Sequence, residues 1–393
     1  MNRRLLTALG SGALVLLAAL VLWPSIAPGD ENPARPCGGS DQHSSRTPSN
    51  RADVDEEDAE EGMSAATSDA AADCVAVDRA IQHAKRFLTE LAPLIDPVRL
   101  RTEYGMKGNK FYVEYLNAWA EIQLLSSDEE RAAIRQLLEP VVARTDSGAY
   151  HNLATCSDEE FKQDIISYLS ACLLHRDFGF ETAEYLRHVE EIVPRILAPE
   201  HLRMRGVDNT MALVYRLRQL GFEGGPAMCQ IWRRPGSVTY GHVDLTKLDL
   251  RTVPGWLRVY DMTHEIFYLT EFGGKPMQCV GEGDLQYIRG MHAELIPIFI
   301  DHGNLDLLAE LLMDLNYLKM TELPAYSAGR SFLLENQNED GSWGDHEMIA
   351  RNVQAHHAVN PKYLPKVGQY LHTTRVALAA LCYPCETGGC ALP

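Results

Sequence analysis

The chain has 393 residues, 46% of them hydrophobic and 23% charged, which is enough apolar matter for one large globular unit with appendages. Its formal charge is -18, and residues 28–73 alone hold 12 acids against 3 bases. That balance argues against a nucleic acid partner, because binding a polyanion takes a basic face that the composition does not supply.

The opening stretch MNRRLLTALGSGALVLLAALVLWPSIAPG places Arg3 and Arg4 ahead of an uncharged run from Leu5 to Ala27. The run exceeds the ~7–15 residues of a secretory apolar region and approaches the ~20 needed to span a bilayer as a helix. Residues 1–28 therefore read as an uncleaved signal anchor, with a cleaved signal peptide and secretion as the alternative. Arginines retained inside leave the remainder of the chain extracytoplasmic and tethered to the membrane. Residues 29–73, including DVDEEDAEEG, are poor in residues that can be buried and read as a disordered acidic linker. Nine cysteines in an outward-facing chain imply disulfides, and the odd number leaves at least one thiol over. The tail CYPCETGGC offers Cys382, Cys385 and Cys390, either as a clasp to a distant cysteine or as a zinc knuckle short of one ligand.

From Cys74 to the end, apolar residues recur at three- and four-residue steps between polar, Gly or Pro breaks, which predicts an all-α domain over 74–393. Helices are expected over about 76–95, 111–125, 128–144, 158–175, 181–197, 208–220, 256–272, 284–301, 304–320, 324–336 and 369–381. Ser127, Ser157 and Asn304 each precede acidic residues in the manner of N-caps. Strand alternation is limited to a short piece near 237–240. No repeat of 34 to 47 residues is present, which weakens a solenoid reading and favours a bundle or a closed ring of inner and outer helices.

Within GRSFLLENQNEDGSWGD, the residues Gly329, Phe332, Leu333, Gln337, Gly341 and Trp343 follow the spacing G-x2-F-L-x3-Q-x3-G-x-W. This segment resembles the QW motif of triterpene cyclases and other α/α-toroid proteins. The resemblance implies a clasp in which Gln337 satisfies backbone groups at a helix end, Asp340 and Gly341 turn the chain, and Trp343 stacks over the turn. YLHTTRVALAALCY, from Tyr370 to Tyr383, is similar to the inner helix of protein prenyltransferase β subunits in which a histidine binds zinc, and His372 matches that histidine. YDMTHEIFYLTEFGG, from Tyr260 to Gly274, is similar to a signature of an uncharacterised bacterial family of this toroid type. The D-x-D-D and D-D-x-x-D acid motifs of terpene cyclases are absent after residue 74, as are the other zinc ligands of prenyltransferases and of lanthionine cyclases.

On a helix through 260–272, Asp261, His264, Glu265, Tyr268 and Glu271 fall at helical steps on one face, with apolar residues around the rest. In a toroid this is an inner helix with a polar stripe toward the central cavity. His264, Asp261 and Glu271, with His372 from another inner helix, form a candidate ligand set for a divalent zinc, iron or manganese ion, leaving Glu265 as general base and Tyr268 as a second catalytic candidate. The alternative is satisfied core polarity, with Asp261 capping its helix. His292 reads as packed in place, His356 and His357 as a loop pair near a cavity mouth, Asp208 first as a helix cap and second as a ligand, and Gly281–Asp284 as a helix start. The expected function is a metal-dependent enzyme, a hydrolase, cyclase or oxidase, acting on a small organic molecule or peptide. The alternatives are a metal-free glycan-processing toroid using Asp261 and Glu265, and a non-catalytic ligand-binding or scaffold module.

Overall fold

Several helices open on a side chain that closes their own first turn. Ser127 Oγ accepts from the Glu130 amide while Glu130 accepts from the Ser127 amide, Ser157 and Glu160 repeat the exchange, and Asn304 Oδ1 accepts from the Leu307 amide. The computed structural model describes residues 57–104, 107–144, 153–203, 205–344 and 370–384. Among them lie fourteen α-helices and no strand: α1 Glu57–Leu91, α2 Pro97–Tyr104, α3 Lys107–Leu124, α4 Asp128–Val142, α5 Asp158–Asp177, α6 Ala183–Ile196, α7 Pro199–Arg203, α8 Val207–Gln219, α9 Met228–Trp232, α10 Val253–Leu269, α11 Glu282–Asp301, α12 Leu305–Tyr317, α13 Pro324–Glu335 and α14 Tyr370–Pro384.

Six of these helices form a closed circuit. α3 packs on α5, α5 on α8, α8 on α10, α10 on α12, α12 on α14, and α14 returns to α3. The others pack outside it: α2 and α4 on α3, α6 on α5, α9 on α8, and α11 and α13 on α12. The pattern follows from side-chain distribution. Every residue of α12 from Leu307 to Tyr317 is buried, the polar Glu310, Asp314 and Asn316 included, whereas α4 and α6 bury one stripe each. Most of the core is one continuous cluster reaching from Val77 to Cys382.

The QW-like segment holds the start and end of this arrangement together. Gln337 Nε2 donates to Ala80 O on α1 and to Gly341 O. Asp340 accepts from the Ser342 amide and hydroxyl, which fixes the turn. Trp343 is fully buried, its indole donates to Leu333 O at the end of α13, and its amide donates to Thr374 on α14. Gly341 has φ 90°, and a Cβ placed there would stand 2.1 Å from the backbone oxygen of His83.

Four expectations are corrected. The first helix starts at Glu57, inside the stretch read as linker, where the alanine-rich sequence has high helix propensity. The helix expected to run to 272 ends at Leu269, because Glu271, Phe272 and Gly273 turn left-handed at φ 48°, 57° and 81°. Gly273 is required there, since a Cβ would strike the Tyr383 hydroxyl at 2.3 Å. Residues 237–240 form turns and not a strand, because their amides are captured by a buried carboxylate. Asp208 does not cap α8, whose N-cap is Gly206; it lies inside the helix, buried. A disulfide joins Cys229 on α9 to Cys279, and Cys156 and Cys172 carry free thiols. Residues 1–28, Cys385, Cys390, His356 and His357 lie outside the described residues, and no described helix is long and apolar enough to cross a membrane.

Gly341→Ala is expected to lose about 2–4 kcal/mol, since the obstructing atom is backbone and cannot yield, and Gln337→Ala about 1–2 kcal/mol. Urea denaturation measures both, and a Gly341→Ala protein as stable as the parent would contradict the clasp.

Candidate functional site

Each helix of the circuit is apolar toward its packed neighbours and polar along one stripe. On α12 the acids Asp306, Glu310 and Asp314 recur at four-residue steps among leucines; α3 presents Lys110, Glu114 and Asn117, and α8 presents Asp208 and Arg216. Most of these stripes meet at a cavity of about 520 Å³. Tyr268 of α10 and Phe267 and Phe272 add aromatic wall.

In the wall of the cavity a carboxylate is shared by two imidazoles. His264 Nε2 lies 3.6 Å and His372 Nε2 4.0 Å from the same Glu310 Oε1, which is buried and has no hydrogen-bond donor. The other oxygen of Glu310 accepts from Thr263 at 2.6 Å. Around this core, His264 Nδ1 faces Asp208 Oδ2 at 3.8 Å, and His372 contacts Glu114 at 3.2 Å and Asp306 at 3.5 Å. Tyr260 donates its hydroxyl to Asp306, which holds that carboxylate in place.

These charges set one another's protonation. Burial works against a charged imidazole at His264, but Glu310, assisted by Asp208, overrides it and holds the pKa well above the ordinary histidine range. His372 is raised in the same way, against burial, by Asp306 and Glu114, with Lys110 pulling the other way. Burial would push Glu310 and Glu114 up; His264 and His372 hold Glu310 below the ordinary carboxylate range, and His372, Lys110 and Arg375 hold Glu114 far below it. The site is thus an ionised network with protons on the imidazoles. About a third of the His264 side chain, 35%, is open to the cavity, so its interactions are partly screened by water.

The expected site residues divide. His264 and His372 are brought together although 108 positions separate them in the sequence. Tyr268 also faces the cavity, where its hydroxyl accepts from Arg216 Nη1 at 3.0 Å. Glu265 does not line the cavity. It is fully buried and accepts from Ser237 Oγ, the Val238 amide, and the amide and hydroxyl of Thr239. Burial raises its pKa against the pull of those donors. Its four bonds anchor the 237–239 loop, so the geometry gives no support to Glu265 as general base, or to its pairing with Asp261 in glycan cleavage. Asp261 is engaged by Arg258 at 2.5 Å, and its carboxyl is pushed up to about 7 by burial and by Asp208, against the pull of Arg258. Glu271 lies beyond the helix end, paired with Lys275 at 2.7 Å, on the wall of a second chamber. Neither joins His264 and His372.

Of the carboxylates that do join them, Glu310, Asp306 and Glu114 were not among the expected residues, and Asp208 was expected first as a cap and only second as a ligand. The acid ladder of α12 was their strongest sequence signal, since charges at i, i+4 and i+8 in a leucine-rich helix need a polar destination. Among the described residues, no group of three or more His, Cys, Asp or Glu side chains is spaced to hold a metal ion. His292 is packed in place as expected, bonded to Ile288 O and Asp314, and Gly281 opens α11 with its amide on Asp284.

No curated protein matches the chain. No solved structure matches it either. Residues 119–382, well over half of the sequence and the whole of the cavity-forming circuit from the middle of α3 onward, match the family described as Domain of unknown function (DUF6895), and the chain belongs to that family.

Proposed function

We propose that this chain is an α/α-toroid enzyme that transfers protons to and from a small organic substrate bound in the cavity, with His264 and His372 as the acid–base groups. The closed circuit of six helices wrapped by outer ones, together with the QW-like clasp, supports the toroid reading. The observation that carries the enzymatic one is the pair of imidazoles from α10 and α14 converging on Glu310 at a cavity wall. An imidazolium there can protonate a substrate atom and the neutral form can take a proton back, while Glu310 remains as counter-charge throughout. Tyr268, steadied by Arg216, presents a hydroxyl to the same space. The arginine pair and apolar run of residues 3–27 support export and tethering, and the Cys229–Cys279 disulfide suits an oxidising compartment.

Screening a library of small organic acids, amides and esters with the full chain, read by mass spectrometry, is expected to reveal turnover that falls about 10²–10⁴-fold in His264→Gln and His372→Gln, the range for loss of a general acid or base. Turnover surviving both substitutions would overturn the reading. So would one equivalent of zinc, iron or manganese per chain that is lost in His372→Ala, which would make the chemistry metal-dependent. A ligand bound without turnover would favour a binding module.

The ion network also gives stability a definite pH dependence. The raised imidazoles contribute fully below their unfolded pKa of 6.5 and lose that contribution as pH rises through their folded values. The lowered Glu310 contributes above its unfolded 4.5 and loses its contribution as pH falls through its folded value. Glu310→Gln is therefore expected to be less stable than the parent by about 1–3 kcal/mol between those two limits. That is less than the ~3–5 of a fully buried pair, because His264 is open to water. Thermal melts across pH should show the gap narrowing on both sides; a gap that widens steadily into alkali would contradict the assignment.

A further inference from the structure

The acids and bases of the cavity are not matched one to one. Glu114, Glu310 and Asp208 each face an imidazole, but Lys110, Lys162, Arg205 and Arg216 have no carboxylate within ion-pair distance among the described residues. Arg205 is the most telling of these. It is 8% exposed, lines the cavity, and spends Nη1 on Lys162 O, while its Nη2 is buried with no partner. A buried guanidinium N–H left unpaired costs free energy that a ligand oxygen recovers. Five Lys or Arg side chains and two imidazoles stand against four lining carboxylates, and Asp306 beside His372 and Glu121 beside Arg375 offset two more, so the cavity is left slightly positive inside a chain of formal charge -18. The excess is small. It suits a single negative charge, whereas a polyanion would meet Glu114, Asp208 and Glu310 at close range.

The chamber does not end at its own walls. Asn117, Ser170, Arg216, Phe272 and Arg375 line both it and a second chamber of about 660 Å³, so the two meet at one neck. Beyond the neck the wall carries the aromatic and aliphatic side chains Tyr215, Tyr317, Tyr383, Leu173 and Leu174, with the carboxylates Glu121, Asp177 and Glu271 also on it, which repel a second anionic group and leave the apolar surface to a tail. We propose that the ligand of this site is an organic carboxylate with an apolar tail, its acid group on Arg205 in the first chamber and its tail passing between Arg216 and Phe272 into the second. This rests on the cavity being the active site, but binding needs no turnover, so the two readings fail separately.

Calorimetric titration of the full chain with 3-phenylpropionate, 6-phenylhexanoate, 3-phenylpropionamide and phenyl phosphate tests it. The two carboxylates are expected to bind about tenfold or more tightly than the amide. Arg205→Met is expected to abolish that preference and Arg205→Lys to keep part of it, in proteins whose melting temperatures match the parent. Leu173→Trp, which fills the second chamber, should weaken 6-phenylhexanoate more than 3-phenylpropionate. Equal binding of amide and acid, a carboxylate preference that survives Arg205→Met, tighter binding of phenyl phosphate, or no binding of 6-phenylhexanoate would each overturn the proposal.

Discussion

The Glu310 carboxylate is the constraint on which the interior of this protein turns. It sits on α12, the most completely buried helix, and is reached from α10 by His264 and from α14 by His372, so one anion ties three consecutive members of the circuit. An isolated carboxylate in that position would be neutralised by its own desolvation; two imidazoles and the Thr263 hydroxyl keep it charged. Such a network is a poor way to gain stability, because apolar residues of the same volume commonly stabilise as well or better. The concentration of charge at one cavity wall, in a core that is otherwise leucine and aromatic, is what the proposed chemistry builds on.

Support comes from the periphery instead. The QW-like turn after α13 bonds to α1, one of the first described helices, and to α14, the last, so the two ends of the described fold are fastened at one place. Gly341 lets the turn approach α1 closely, and Gly273 lets the α10 terminus approach α12 and α14 through Tyr317 and Tyr383. Both glycines lie where the circuit would otherwise be held apart by side chains. The circuit can then keep its inner stripes polar, since closure does not depend on those stripes being apolar.

The helices and their caps were legible because they are local: Ser127 with Glu130 and Ser157 with Glu160 act over three residues, and heptad-like spacing marks a helix wherever it falls. His264 and His372 were legible for another reason, each lying in a stretch that resembles a known toroid helix. Which carboxylates would meet them was not, because sequence proximity to a histidine is a weak guide to spatial proximity. Glu265 adjoins His264 in the chain, yet successive side chains on a helix diverge by about 100°, and it serves the 237–239 loop instead. Glu271 was placed on the same face by counting through a helix that in fact stops at Leu269. Glu310 comes from a helix two elements further on, 46 positions from His264, where only the acid ladder among leucines announced it.

The same separation of scales governs what can enter. At long range a chain of formal charge -18 repels an anion, but beyond about 8–10 Å that repulsion is largely screened at ordinary ionic strength. Within the cavity the distances are shorter, and Lys110, Lys162, Arg205 and Arg216, none within ion-pair distance of a carboxylate among the described residues, outweigh the acids, three of which, Glu114, Asp208 and Glu310, are engaged by His264 and His372. Under the proposed reading the imidazoles have two effects at once: each proton they hold would be available to a substrate, and each also cancels a carboxylate that would otherwise oppose an anionic one. Deprotonating them would remove both, so under that reading recognition of a carboxylate and readiness to donate a proton rise and fall together.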